Sequence, residues 1–146
     1  MRILLINYEF PPIGGGAGTA SYNIARWLTR LGNEVIVFSS RFQHLKREES
    51  LEGFQIIRIP VVRQHIDQCS VFEMSSFLIS GLANIIGTAK RFKPNFSLVF
   101  FGIPCGPLGL YLKTVLSIPY IISLRGGDVP GFLPLQLGFY HKMIRP

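Results

Sequence analysis

The sequence predicts a doubly wound, mainly parallel α/β sheet of the Rossmann type, and three observations lead to it. Short apolar runs alternate with helix-period segments along the 146 residues. The apolar runs are continuous rather than alternating, as in strands covered on both faces; Ile3-Leu4-Leu5-Ile6 and Val35-Ile36-Val37-Phe38 are examples. A glycine-rich turn, Pro11-Pro12-Ile13-Gly14-Gly15-Gly16-Ala17-Gly18-Thr19, joins the first run to the first helix. Strands linked by helices run parallel, which places helices on both faces of one sheet.

Each element follows in order. The first strand is expected over residues 2–8. A helix over 19–31 has Ile24, Trp27, Leu28 and Leu31 at helical spacing, with Gly32 placed to stop it. The second strand covers 34–39, residues 40–53 read as a polar loop, and a third strand over 54–59 is halted by Pro60. Residues 61–70 look irregular, and 71–92 read as a long helix ended by Lys93-Pro94-Asn95. A buried strand over 98–101 runs into Gly102-Ile103-Pro104, a helix follows over 106–116, and a last strand over 120–124 empties into Arg125-Gly126-Gly127-Asp128. Residues 135–145 read as a helix with no strand after it, so the chain is expected to be a fragment of a longer protein.

The 146 residues suffice for one domain with a real core and are too few for two. With 48% hydrophobic and 16% charged residues, packing rather than disorder is expected. The formal charge of +7 favours anionic ligands or anionic lipid. It does not indicate nucleic acid, because the basic residues form no aromatic-interleaved stripe. Cys69 and Cys105 have no partner at metal-ligand spacing and read as reduced thiols. The first apolar run is cut off by Asn7, Glu9 and a double proline, unlike a signal peptide. Residues 71–89 and 97–124 resemble membrane spans in composition, but both read as core elements of an α/β domain. The chain is expected to be cytoplasmic, and peripheral at the inner face of the membrane if attached at all.

In doubly wound sheets, ligands bind at the carboxyl ends of strands near the point where the strand order reverses. The glycine turn, the turn after Phe101 and the 125–128 turn all follow strand ends, so they converge on one edge. Glycines at a helix start leave amides bare where partial positive charge gathers, which suits a phosphate, diphosphate or carboxylate. Gly15, Gly16, Ala17 and Gly18 are the candidate ligand contacts. The turn is a poor dinucleotide fingerprint: its third glycine falls one place early, and Ser39 and Ser40 stand where a ribose-binding acid belongs. No Lys-Ser/Thr pair follows, as a nucleotide-hydrolase loop would require. In the second turn, Arg125 can neutralise a phosphate or hold sugar hydroxyls. Asp128 can accept from hydroxyls or orient Arg125, while Gly126 and Gly127 permit close approach. Glu9 is a weaker candidate for contact with a polyol acceptor, and a solvent-facing carboxylate is the plainer reading. His44, His65 and His141 have no partner at ligand or triad spacing.

The Pro-Pro-x-x-Gly-Gly-x-Gly turn, the helix Ser21-Tyr22-Asn23-Ile24-Ala25-Arg26-Trp27-Leu28 and Gly32-Asn33-Glu34-Val35 together resemble the start of a family-four glycosyltransferase. The likeness continues through Gly102-Ile103-Pro104-Cys105-Gly106-Pro107 and through residues 118–131, and so covers effectively the whole chain. It implies the two-domain GT-B architecture and transfer of a sugar from a nucleotide-sugar to a hydroxyl, with retention at the anomeric carbon. This chain would be the acceptor-side domain, with residues 15–18 facing the donor diphosphate. The family often carries a histidine before the glycine of the last turn. Arg125 stands there, whereas Asp128 matches the pattern, and these two are the candidate catalytic residues. The resemblance implies no metal and no cofactor besides the donor. It also implies a C-terminal domain with the nucleotide pocket and a glutamate pair, which these residues lack.

The leading expectation is therefore the acceptor half of a glycosyltransferase, acting on a glycan or lipid-linked acceptor of the cell envelope and inactive alone. A non-catalytic Rossmann-like module that binds a nucleotide or other anion is the alternative. A nicotinamide oxidoreductase is disfavoured by the missing acid after the second strand.

Overall fold

The computed structural model describes residues 1–66 and 68–128. The expected helix over 135–145 lies outside them. The elements run β1 (Arg2–Ile6), α1 (Gly16–Arg30), β2 (Glu34–Arg41), β3 (Glu48–Leu51), β4 (Phe54–Pro60), α2 (Val71–Phe92), β5 (Phe96–Phe100), α3 (Gly106–Leu116) and β6 (Tyr120–Ser123), followed by a 3-10 turn (Gly126–Asp128). The sheet order is β3-β4-β2-β1-β5-β6. Every neighbouring pair is parallel except β3 with β4. β1 sits between β2 and β5, so the order reverses between β1 and β5.

Strand side chains alternate between the two helical layers. Leu4 and Ile6, with Ile36, Phe38, Ile57 and Ile59, pack under α2 and α3. Ile3 and Leu5, with Val35, Val37 and Ile56, pack under α1. A buried aliphatic side chain of this kind contributes about 2 kcal/mol, so both faces of β1 and β2 hold the domain together.

Three expectations need correction. The segment read as a polar loop contains β3, an antiparallel edge strand held by the register Glu48↔Ile57 to Leu51↔Phe54. A charged edge strand lacks the apolar signal of a central one, and its charges discourage further pairing. The first helix begins at Gly16 rather than Thr19, so Gly16, Ala17 and Gly18 form its first turn. Its buried positions are Gly18, Ser21 and Ala25, small residues that let the helix approach the sheet. Trp27 and Leu31 are exposed, and the Arg30 guanidinium lies 5.2 Å from the Trp27 ring centroid. Finally, β6 is not covered on both faces: Ile121 and Ile122 are exposed, because β6 is the outer strand among the described residues.

The long helix α2 has the expected bounds. Ser70 Oγ accepts the Glu73 amide, and the Glu73 carboxylate accepts the Ser70 amide in return, a complete capping box. Lys93 ends the helix in the left-handed conformation, ahead of Pro94.

Candidate functional site

The sheet's carboxyl edge carries three turns, and side chains fix each of them. After β1, buried Asn7 ties the glycine turn together. Its Nδ2 donates to Ser21 Oγ at 2.9 Å and its Oδ1 accepts the Glu9 amide at 3.1 Å. Ser40 Oγ, at the end of β2, donates to the Tyr8 carbonyl at 2.8 Å. Gly14 needs its φ of +85°, and the Glu9 side chain folds over it: a Cβ on Gly14 would fall 2.6 Å from Glu9 Oε2. Gly18 is required for space, since a Cβ there would lie 2.9 Å from the Ile13 carbonyl oxygen. Gly15 and Gly16 are different. Both face open space, and α1 has neither an acid in its first turn nor a side-chain cap.

Among the described residues, no acceptor meets the amides of Gly16, Ala17 and Gly18. Helix starts leave such donors unmet until a side chain, water or ligand supplies oxygen. They stand at the positive end of the helix dipole, which suits an anion.

Two residues that were not singled out in the sequence brace this turn from outside. Arg58 on β4 is 2% exposed. Its Nη1 donates to Glu49 Oε2 at 2.7 Å, and its Nη2 donates to the Pro11 carbonyl at 3.4 Å. Glu73 acts through the irregular 61–70 segment. Its Oε1 accepts the Gln64 amide at 2.6 Å, and two residues on, the Ile66 carbonyl accepts the Gly14 amide at 2.7 Å. The amides of Ser70 and Gln64, with the Ser70 hydroxyl, lower the Glu73 carboxyl to about 2. The spacing Ser70-x-x-Glu73 ahead of an apolar helix is a signal that could have revealed this cap.

At the switch point, Tyr8 follows β1 and Phe101 follows β5, and their ring centroids lie 5.0 Å apart. Buried Cys105 belongs to the same cluster. Burial above all pushes the Tyr8 phenol and the Cys105 thiol far above their ordinary ranges, so neither ionises near neutrality. These groups shape the crevice and do not supply a base.

The turns after β5 and β6 are joined by Asp128. Its Oδ2 accepts the Gly102 amide at 3.0 Å and the Arg125 amide at 3.2 Å. The carboxylate therefore reaches Arg125 through the main chain and makes no ion pair with its guanidinium. The guanidinium is held elsewhere: Nε donates to Ser123 Oγ at 2.9 Å, and Cζ lies 5.2 Å from the Phe100 ring centroid. Gly126, at φ +49°, faces open space, and Gly127 follows it within the 3-10 turn. Among the described residues, no carboxylate pairs with Arg125, and no three His, Cys, Asp or Glu side chains gather to hold a metal.

A mostly parallel sheet with a bare helix start and a positioned arginine on its carboxyl edge defines a Rossmann-like α/β domain. The solved structures agree. Sucrose-phosphate synthase from Thermosynechococcus elongatus superposes with a TM-score of 0.72 at 14% identity, covering 93% of this chain and 36% of that one. A second structure of the synthase from the same organism gives 0.64 at 11% identity, covering 88% and 65%. The chain thus spans about a third and about two thirds of those chains. No curated protein matches it in sequence. The model of Glycosyltransferase Family 4 matches residues 14–146, beginning at the glycine turn. The chain belongs to glycosyltransferase family 4.

Proposed function

We propose that this chain is the acceptor-side half of a retaining transferase that moves a sugar from a nucleotide-sugar to a hydroxyl. The unmet amides at residues 16–18, on the same sheet edge as Arg125, carry this reading. In it, the α1 start and Arg125 take the donor diphosphate. Asp128 and the glycines at 126–127 hold the last turn against the transferred sugar, and Glu9 borders the acceptor. A second domain, from polypeptide outside these residues, closes the cleft and brings the nucleotide pocket, so the 146-residue chain alone transfers nothing. The donor is the only cofactor-like group, and no metal takes part. The acceptor is a cell-envelope glycan or lipid-linked sugar, reached from the cytoplasmic face of an anionic membrane.

The test is a panel of nucleotide-sugars offered to the chain alone and to the full-length polypeptide, with release of nucleotide diphosphate as the readout. Turnover by the full-length protein only, reduced by Gly16→Val and by Arg125→Ala, supports the proposal. Turnover by the chain alone removes the half-site claim. Unchanged rates in both variants mean the site is elsewhere, and tight nucleotide binding without turnover favours a binding module.

A further inference from the structure

A second cation serves the glycine turn, and it is buried. Arg58 stands on β4 opposite Ser39 of β2. Phe54 and Ile56, earlier on the same strand, pack under α1, and strand alternation puts residue 58 on that face too. Phe10 packs against Phe54 there, which lays the start of the glycine turn across β4. Three acceptors meet the guanidinium. Nη1 donates to Glu49 Oε2 at 2.7 Å and to the Lys46 carbonyl at 3.3 Å, while Nη2 donates to the Pro11 carbonyl at 3.4 Å. Nε has no acceptor among the described residues, and Ser39 Oγ has no partner either.

Packing alone does not account for this arginine. A donor left unmet in the interior costs stability, and an apolar side chain in place of a buried ion pair is often no worse for the fold. The glycine turn is where the charge has a use. The Pro11 ring lies against Gly18, since a Cβ on Gly18 would fall 3.7 Å from Pro11 Cδ. Gly18 is the third residue of α1 and one of those whose amides meet no acceptor. By way of Pro11, a group that stays cationic at every working pH therefore stands behind the positive end of the α1 dipole. Its counter-charge is weaker there: the Glu49 side chain is 39% exposed and that of Arg58 is 2% exposed. Water screens the carboxylate more than the guanidinium, so the pair does not cancel at the turn.

We infer that Arg58 is a positioning residue for the anion site, fixing the Pro11 carbonyl beside the first turn of α1 and adding a buried positive charge behind the amides of residues 16–18. Glu49 on the edge strand holds Arg58 in place and sets how much of its charge the site feels. The β3–β4 edge thereby takes part in the strength of anion binding, although it supplies no contact to the ligand. The inference rests on the reading above that the α1 start takes a phosphate group, and not on sugar transfer.

The experiment titrates inorganic pyrophosphate into the 146-residue chain and follows the amide resonances of residues 16–18. Glu49→Gln keeps an oxygen for Nη1 but removes the counter-charge. It should tighten Kd about two- to threefold, even though the lost ion pair lowers the urea midpoint. A brace without an electrostatic part predicts the reverse, weaker or unchanged binding. Glu48→Gln makes the same change in net charge one residue away, where the partner is Arg91, and should leave Kd as it is. Arg58→Met should weaken binding roughly threefold or more, and Arg58→Lys, which keeps the charge, should recover about half of that loss. Circular dichroism checks that each variant is folded; if Arg58→Met is not, the contrast between Glu49→Gln and Glu48→Gln decides. Tightening by Glu49→Gln alone supports the inference. Equal effects of the two glutamine variants, or no tightening by Glu49→Gln, overturn it and leave the anion site standing. Amides of residues 16–18 that ignore pyrophosphate in the wild type overturn the anion site itself, and the role of Arg58 with it.

Discussion

Asp128 and Gly102 meet at the crevice edge, where the Asp128 carboxylate accepts the Gly102 amide at 3.0 Å. The contact joins turns that follow different strands, and the same oxygen takes the Arg125 amide. One nearly buried carboxylate thus sets the path of the chain on which Arg125 stands. Arg125 then needs only Ser123 and the Phe100 ring to aim its guanidinium. Asp128 is a positioning residue in this geometry, whatever else it does when a sugar is present.

Asp128→Ala should therefore destabilise the domain by about 2–3 kcal/mol, since two amides lose a charged acceptor. Asp128→Asn keeps an oxygen and should lose less than half of that. Urea unfolding measures both. Equal midpoints for the wild type and the alanine variant would show that the clasp contributes nothing.

The glycines of the first turn should separate into two groups. Gly18→Ala brings a Cβ to 2.9 Å from the Ile13 carbonyl oxygen, so a loss of about 1–3 kcal/mol is expected from overpacking. Gly15→Ala meets open space at a negative φ and should stay within about 0.5 kcal/mol of the wild type. A thermal melt of each decides the matter. If Gly15→Ala proved as damaging as Gly18→Ala, the turn would need both glycines for folding. Ligand contact would then no longer be required to explain the extra glycine.

The sequence shows some of this site better than the rest, for physical reasons. Local signals carry far: the Lys93-Pro94 stop and the double-sided apolar strands place α2, β1 and β2 with little ambiguity. The carboxyl-edge turns follow from connectivity alone. β3 was hidden because Glu48-Glu49-Ser50-Leu51 becomes a strand only through its pairing with β4. Arg58 was hidden for a related reason. It stands in an apolar run, and its acceptor on Pro11 lies 47 positions away. Trp27 misled through its size: the small residues Gly18, Ser21 and Ala25 face the sheet instead. Helix periodicity gives the spacing of a stripe but does not say which stripe can come closest to a sheet.

The two thiols should differ in reactivity for the same reason that they differ in burial. Burial pushes Cys69 up to about 11 and Cys105 higher still. At pH 8 Cys69 carries roughly one part in a thousand of thiolate, the species that reacts. A disulfide reagent should then titrate Cys69 slowly in the native chain and Cys105 only on unfolding. Two fast equivalents in the native state would contradict the packing around Tyr8 and Cys105.

Glu73 links the cap of α2 to the glycine turn, and acid should uncouple them. Its carboxyl falls from an ordinary 4.5 to about 2, chiefly because the Ser70 and Gln64 amides donate to the ionised form. A carboxyl depressed by folding contributes stability that is complete above the unfolded value. That contribution fades as pH falls from about 4.5 through about 2. Glu73→Gln should therefore cost about 1 kcal/mol near neutrality, the usual worth of a helix cap, with the gap closing toward pH 2. The loss should also reach the site, because the Gln64 amide held by Glu73 lies two residues before the Ile66 carbonyl that accepts from Gly14. Amide exchange at Gly14 should accelerate in Glu73→Gln, while exchange in the β1 amides stays near wild type. A stability gap that does not change with pH would show that ionisation of Glu73 plays no part. Unaltered exchange at Gly14 would confine the cap's influence to α2.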